Sequence, residues 1–391
     1  MGGSKQFLMM FLINYSIYCF SNAYFIFGPF YGSYSASPNT IAIFLSIFYI
    51  TVTLFRPVGS WVLERAGVRR TLIGGAFASL LFSAGIALTL NHPFILLVFR
   101  ALSGVSYSIF IVAILAYQSM IFDEASRGIK MALFTCGGML PMATVVPLCE
   151  WLINNGYDMM YLWFPPTVIV LCLLMTLTVK ETLNVAREKS WGSYSDMFAV
   201  KGVKTLFVTT FIMSLADGST LCVAALAAAQ NVSVSSFMIS ASVTSIFMRT
   251  LGYGAVRSLN RMLLAAPAAM VMGLSLFCLS FSSTDVLFYI FGTMFGIGIG
   301  VSFPTDLALV GDLLPVEFHP KATGCILLAT DLGWSVTPLI FGAMSPYIGA
   351  NGVFCVLSIF VALVAFFLFI NYWLPLYKGN NKLLAGDEGR F

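Results

Sequence analysis

Twelve long apolar runs limit what this chain can become more than any other feature. They cover about 7–28, 38–55, 71–90, 94–120, 131–152, 160–179, 204–226, 234–256, 263–282, 286–310, 322–345 and 352–374. A helix needs roughly 20 mostly apolar residues to cross the hydrocarbon of a bilayer, and each run is near that length. Inside lipid every backbone N–H and C=O must find a partner within the protein, which leaves helices and closed barrels. Barrel strands alternate between lipid and lumen over roughly 10 residues; these runs are continuously apolar. Composition agrees: the chain is 59% hydrophobic and 9% charged, where soluble domains carry about 25% charge. The expectation is an all-α membrane protein with twelve transmembrane helices.

Basic residues set the orientation. With the N-terminus inside, every Lys and Arg except Arg100 falls in a cytoplasmic loop or at a cytoplasmic span end, as the positive-inside rule requires. Both termini are then expected in the cytoplasm, in a multi-pass protein of the cell membrane. The net charge of +4 belongs to that face and its anionic lipids, not to nucleic acid. The first apolar run is too long for a cleaved signal, and Gln6 stands where myristoylation wants Ser or Thr. All eight cysteines lie within spans with no C-x-x-C pair, and are read as small apolar fillers. Asn231-Val232-Ser233 is a glycosylation sequon in an outside loop. There is no G-x-x-x-x-G-K-[ST] loop and no H-E-x-x-H. His92 and His319 fall in loops on opposite sides and cannot share a metal. No metal, no cofactor and no enzymatic activity are expected.

The chain also repeats itself. Arg56-Pro57-Val58-Gly59 returns as Arg249-Thr250-Leu251-Gly252, and Gly104 of span 4 is matched by Gly296 of span 10. This divides the chain into an N-terminal six-helix bundle, 1–179, a polar cytoplasmic linker, 180–203, and a C-terminal bundle, 204–391. Repeated sets of spans are a mark of transporters. Gly292, Gly296 and Gly300 form a double G-x-x-x-G, read as close helix packing. Pro29, Pro141, Pro147, Pro304 and Pro338 are expected to kink spans or their ends.

Between spans 2 and 3 lies Ser60-Trp61-Val62-Leu63-Glu64-Arg65-Ala66-Gly67-Val68-Arg69-Arg70, preceded by Arg56-Pro57. Span 4 has Arg100 followed four residues on by Gly104, and Thr178-Val179-Lys180-Glu181-Thr182-Leu183 closes span 6. On these motifs the whole chain resembles a twelve-span efflux transporter of the major facilitator superfamily. The loop signature departs from the family pattern in having Glu64 for Asp, Ser60 for Gly and Val68 for Arg. The antiporter signature of span 5 keeps only Pro147. The resemblance implies two pseudo-symmetric six-helix bundles around a midplane cavity lined by spans 1, 4, 7 and 10. It also implies a cytoplasmic gate, here Arg56, Gly59, Glu64, Arg65, Gly67, Arg69, Arg70 and Arg249. Positive-inside topology alone is the other account of Arg69 and Arg70.

Charge inside a span is costly and is a functional-site hypothesis by default. Arg100 shares a helix face with Ser103, Gly104 and Tyr107; it serves substrate binding or proton coupling, or makes a structural ion pair. Asp217 in span 7 is the first coupling candidate. Glu150 and Asp331 are further ones, with pairing to Arg100 or capping of a helix end as the alternative. Asp306, near the inside end of span 10, is read as water-exposed. Asn14, Tyr18 and Asn22, spaced by four along span 1, join Arg100, Tyr107 and Asp217 as the expected cavity wall. The expectation is a monomeric secondary transporter exporting a small amphipathic molecule (a drug, a sugar-like solute or a metallophore) by proton-coupled alternating access. Proton-coupled uptake of a nutrient is the runner-up, and a non-transporting sensor is a third, poorly supported class.

Overall fold

The fold was taken from a computed structural model, which describes residues 2–34, 37–121, 127–179, 193–252, 259–315 and 318–379. Nine helices among the described residues are long and apolar enough to cross a membrane singly. One of these, Lys321–Gly379, holds two spans. Its helix His319–Leu368 has 50 residues, about 75 Å at 1.5 Å per residue, far more than a bilayer core of about 30 Å. It is broken at Gly349, at φ 70° and ψ 170°, a conformation that suits a residue without Cβ. Span 7 is two apolar pieces, Val203–Leu221 and Val223–Gln230, bent by 48°. Span 8 is the shorter helix Val234–Arg249. The twelve expected crossings are thus all present.

The remaining spans are span 1 (Gly2–Asn22, continued by Ala23–Ile26 and Phe27–Gly32), span 2 (Pro38–Ala66) and span 3 (Val68–Leu88). Then come span 4 (Pro93–Ile121), span 5 (Arg127–Asn154) and span 6 (Asp158–Thr176). In the second half, Ala265–Ser280 is span 9 and Asp285–Leu313 is span 10. The expected linker lies outside the described residues over 180–192; after it, Tyr194–Ala199 is a short helix.

Packing repeats between the halves. Spans 2 and 4 pack together, as do 8 and 10; spans 3 and 4 do so, as do 9 and 10. The matched glycines show the register. A Cβ at Gly104 would strike the Phe48 carbonyl, and one at Gly296 the Ala241 carbonyl. The two glycines are 192 residues apart and the two carbonyls 193. Gly292 and Gly300 meet span 8 in the same way. The double G-x-x-x-G therefore lets two backbones approach closely, as small residues do in membranes.

Both first spans break in their far third, for different local reasons. In span 1 the ring of Pro29 conflicts with the carbonyl four residues earlier, and the chain tightens into a 3-10 turn at Ala23–Ile26. In span 7 hydroxyls compete for the ladder: Ser219 Oγ donates to the Leu215 carbonyl (3.0 Å) and Thr220 Oγ1 to that of Asp217 (2.7 Å). The two broken tips rest on each other.

Two boundaries differ from expectation. Span 2 does not end at 55 but runs to Ala66, because Arg56 and Pro57 do not stop a helix already several turns long. Gly67 ends it, at φ 78°, with its N–H on the Leu63 carbonyl (3.0 Å). Span 8 ends at Arg249 rather than 256, where Gly252 N–H folds back on the Phe247 carbonyl (2.9 Å).

Candidate functional site: a cavity between the two bundles

The bundles touch along two seams, span 2 against span 11 and span 5 against span 8. Between them lies a cavity of about 210 Å³. This is below the roughly 300–1,000 Å³ of drug-sized sites, so it suits a small solute. For reference, the end of the molecule carrying Arg65, Arg69 and Arg70 is called the basic end.

Span 1 supplies the polar wall expected of it: Asn14, Tyr18 and Asn22 all line the cavity. Asn14 Nδ2 donates to the Phe134 carbonyl (3.2 Å) and Asn22 Nδ2 to that of Tyr18 (2.8 Å). Asn22 Oδ1 is buried with no partner. Tyr107 faces Tyr18 edge-on, with ring centroids 6.2 Å apart.

Two carboxylates face this space from the C-terminal bundle. Asp217, in the last turn before the break in span 7, accepts from Trp334 Nε1 (2.9 Å). Asp331 on span 11 takes two bonds from Arg56 on span 2, from Nε (2.5 Å) and from Nη2 (3.0 Å). A bidentate pair of this kind is among the stronger polar contacts available to a protein, and here it joins the two bundles. Trp334 also lies against Phe25 (5.7 Å) and Tyr49 (5.0 Å) of the other bundle. All three rings line the cavity, and Trp334 carries this contact from one bundle to the other.

The expected cavity wall needs one correction. Arg100 does not line the cavity. It is 1% exposed, with its guanidinium 4.1 Å from the Phe48 ring, 4.3 Å from Tyr24 and 4.8 Å from Phe44. Its Nε donates to the Phe44 carbonyl (3.4 Å) and its Nη1 has no partner. Aromatic faces stabilise the charge in place of the acid considered from the sequence. Neither Glu150 nor Asp331 pairs with it.

Glu150 instead crosses to the other bundle. Its carboxylate accepts from Val234 N (2.9 Å), Ser235 N (3.0 Å) and Ser233 Oγ (2.8 Å), and also from Ser235 Oγ. These groups begin span 8. A helix N-terminus has unpaired N–H groups and partial positive charge, so Glu150 of one bundle caps a helix of the other. The helix-end alternative for Glu150 thus holds, across the seam rather than within its own bundle.

The residues grouped as a gate separate into two sets. Glu64, Arg65, Arg69 and Arg70 stand exposed at the basic end; Arg65 lies over Trp61 (4.1 Å) and Arg69 Nη2 donates to the Leu177 carbonyl (3.1 Å). Gly67 makes the turn already described, and Gly59 packs on Ile109 of span 4. Arg56 and Arg249, by contrast, line the cavity. Arg249 is buried; its Nη2 donates to the Ile299 carbonyl (3.3 Å) and its Nε has no partner. The missed clue was position: Arg56 follows the apolar run of span 2 and Arg249 lies inside that of span 8, apart from the loop charges. Trp334, Tyr49 and Phe25 were not singled out for the cavity, since an aromatic in a span looks the same whether it packs or plugs.

Asp306 is also corrected. It is fully buried, not water-exposed, with Oδ2 accepting from Thr210 Oγ1 (2.9 Å) and Oδ1 unpartnered. The helix carries it onto the face packed against span 7, which its distance from the span end does not reveal. No group of three metal-ligating side chains occurs among the described residues.

Twelve crossings, two repeated bundles and a cavity between them define a multi-pass helical transport protein. The model of the Major Facilitator Superfamily matches residues 7–315 and 206–389, and the chain belongs to that family. No curated protein matches it by sequence. Among solved structures it is similar to a mutant of the peptide transporter POT, with a TM-score of 0.78 at 11% identity over 94% of each chain. The xylose transporter XylE from E. coli in an inward-open conformation gives 0.75 at 13% identity, over 93% of this chain and 95% of that one. A mutant of the nucleoside transporter NupG gives 0.74 at 13% identity, over 93% and 98%. At these identities the likeness is one of fold.

Proposed function

We propose that the protein is a proton-coupled secondary transporter that exports a small amphipathic solute by alternating access. The observation that carries this reading is the cavity itself. It holds carboxylates on spans 7 and 11, and one of them, Asp331, bonds the opposite bundle directly. Protonating Asp331 would weaken its hold on Arg56, and so ties proton binding to bundle separation. Asp217 has no ion pair among the described residues and faces the same space. It is the group for which proton and solute compete. The basic end is cytoplasmic by the positive-inside rule, so we take the exposed charges of the loop between spans 2 and 3 to face the cytoplasm. Export rests on the efflux-type loop signature. Uptake remains the second reading, and a similar solved structure described as a D-xylose-proton symporter is its precedent. We take the working unit to be a monomer in the cell membrane.

The test is proton release. Detergent-purified protein in weak buffer is given a panel of solutes, wild type beside Asp217→Asn. Release by wild type that vanishes in the variant is the expected result. Binding without release, or release unchanged in the variant, removes Asp217 from coupling. Direction is read separately, from efflux out of loaded proteoliposomes under an imposed proton gradient.

A further inference from the structure

We infer that Arg249 is the anchor for a carboxylate carried by the solute. This deepens the proposed function and rests on the cavity being the solute site.

The argument comes from the repeat. Arg56 and Arg249 occupy matching places, 193 residues apart, at matching seams: span 2 with span 11, and span 8 with span 5. At the first seam Asp331 answers the arginine. Its counterpart at the second seam lies on span 5. The offset of the arginines places it at Gly138. Aligning Thr144-Val145-Val146-Pro147-Leu148 with Ser335-Val336-Thr337-Pro338-Leu339 moves it to Leu140. The residue between is Met139, so none of the three is acidic. A Cβ at 138 would lie 3.1 Å from the Tyr18 ring, so a side chain there would have to push that ring aside.

Arg249 is therefore an arginine whose partner the fold has left out. It is 6% exposed and lines the cavity. It makes one hydrogen bond, to a carbonyl, and its Nε makes none. Among the described residues no ion pair and no ring contact compensates it, in contrast to Arg100, which is also buried but has three aromatic rings about it. A buried guanidinium favours planar, bidentate pairing with a carboxylate. The space beside it is the solute cavity, so the carboxylate comes from the solute. Across the same cavity, Asp217 and the unpartnered Asn22 Oδ1 offer acceptors for a donor on the same molecule. The ligand class is a small amphipathic acid, best satisfied as a zwitterion.

The experiment measures binding by calorimetry of four related probes to the detergent-purified full chain: phenylalanine, 3-phenylpropionate, phenylalaninamide and phenethylamine. Both acids should bind wild type about tenfold or more tightly than the amide, the effect of one charge-assisted hydrogen-bonded contact. Arg249→Gln should abolish that preference, and Arg249→Lys, which keeps the charge, should retain part of it. Elution of each variant as a single wild-type-like peak in size exclusion shows that it is folded. Binding of the amine and amide with no preference for acids overturns the anchor but leaves the cavity reading standing. A preference for acids that survives Arg249→Gln does the same. Binding of none of the four overturns both.

Discussion

The two seams between the bundles are copies of one arrangement, yet they are fastened at different heights. The seam of spans 2 and 11 is fastened beside the cavity, by Arg56 and Asp331. The seam of spans 5 and 8 has an unanswered arginine at that level and is fastened further out, by Glu150 on the first turn of span 8. The difference teaches how a symmetric frame holds an asymmetric site. One matched position completes its ion pair within the protein. The other keeps its cation for a solute, and its seam is held by a contact that leaves the cavity free.

Breaking the inner fastening should have the largest effect. Arg56→Ala or Asp331→Ala leaves one charge in a largely buried place, which costs about 3–5 kcal/mol where burial is complete. A clear fall in detergent Tm and loss of transport are expected for each. The swap Arg56→Asp with Asp331→Arg should recover much of the stability, and a swap no better than the single variants would deny that the pair matters.

The outer fastening comes next. Glu150→Gln keeps the shape but removes the charge from the span 8 N-terminus. A loss of about 2 kcal/mol of closure would shift the balance toward opening roughly 30-fold. Cys222 is buried and lines a second pocket, between spans 1, 2, 7 and 11; it should then react faster with a maleimide, as located by mass spectrometry. Unchanged labelling would mean that the seam is held by packing alone.

A third variant makes the seams more alike. Met139→Asp places an acid near the vacant partner position, and should weaken binding of acidic solutes about tenfold. Equal binding of acids and amides would confirm that Arg249 had been satisfied from within. The smallest effect is expected from Glu64→Gln, an exposed charge outside both seams, with a stability change within about 0.5 kcal/mol. Its readout is the rate of transport, and an unchanged rate would deny this charge a part in the gate.

How much of this could be read from the chain follows from the range of each interaction. All twelve spans were visible as apolar runs because hydropathy is a local property. So was the face of Asn14, Tyr18 and Asn22, because 3.6-residue periodicity places i, i+4 and i+8 together. The repeat was visible as two short motifs at one offset. Arg100 and Asp331 show where local reading stops. Each was marked as a buried charge needing compensation, but the compensation is three rings in one case and Arg56 in the other, from spans far off in sequence. Arg56 and Glu64 stood eight residues apart in one motif. One helix nevertheless puts the first in the cavity and the second in the open.

The sequence by itself determined that this protein crosses a membrane twelve times, in two related halves with one basic face. Those features depend on solvation and helix geometry, which act residue by residue. Only the tertiary structure decided which charges meet. Pairing across a seam depends on the relative height of two helices that share no local sequence, and a shift of one turn, about 5.4 Å, would replace every partner.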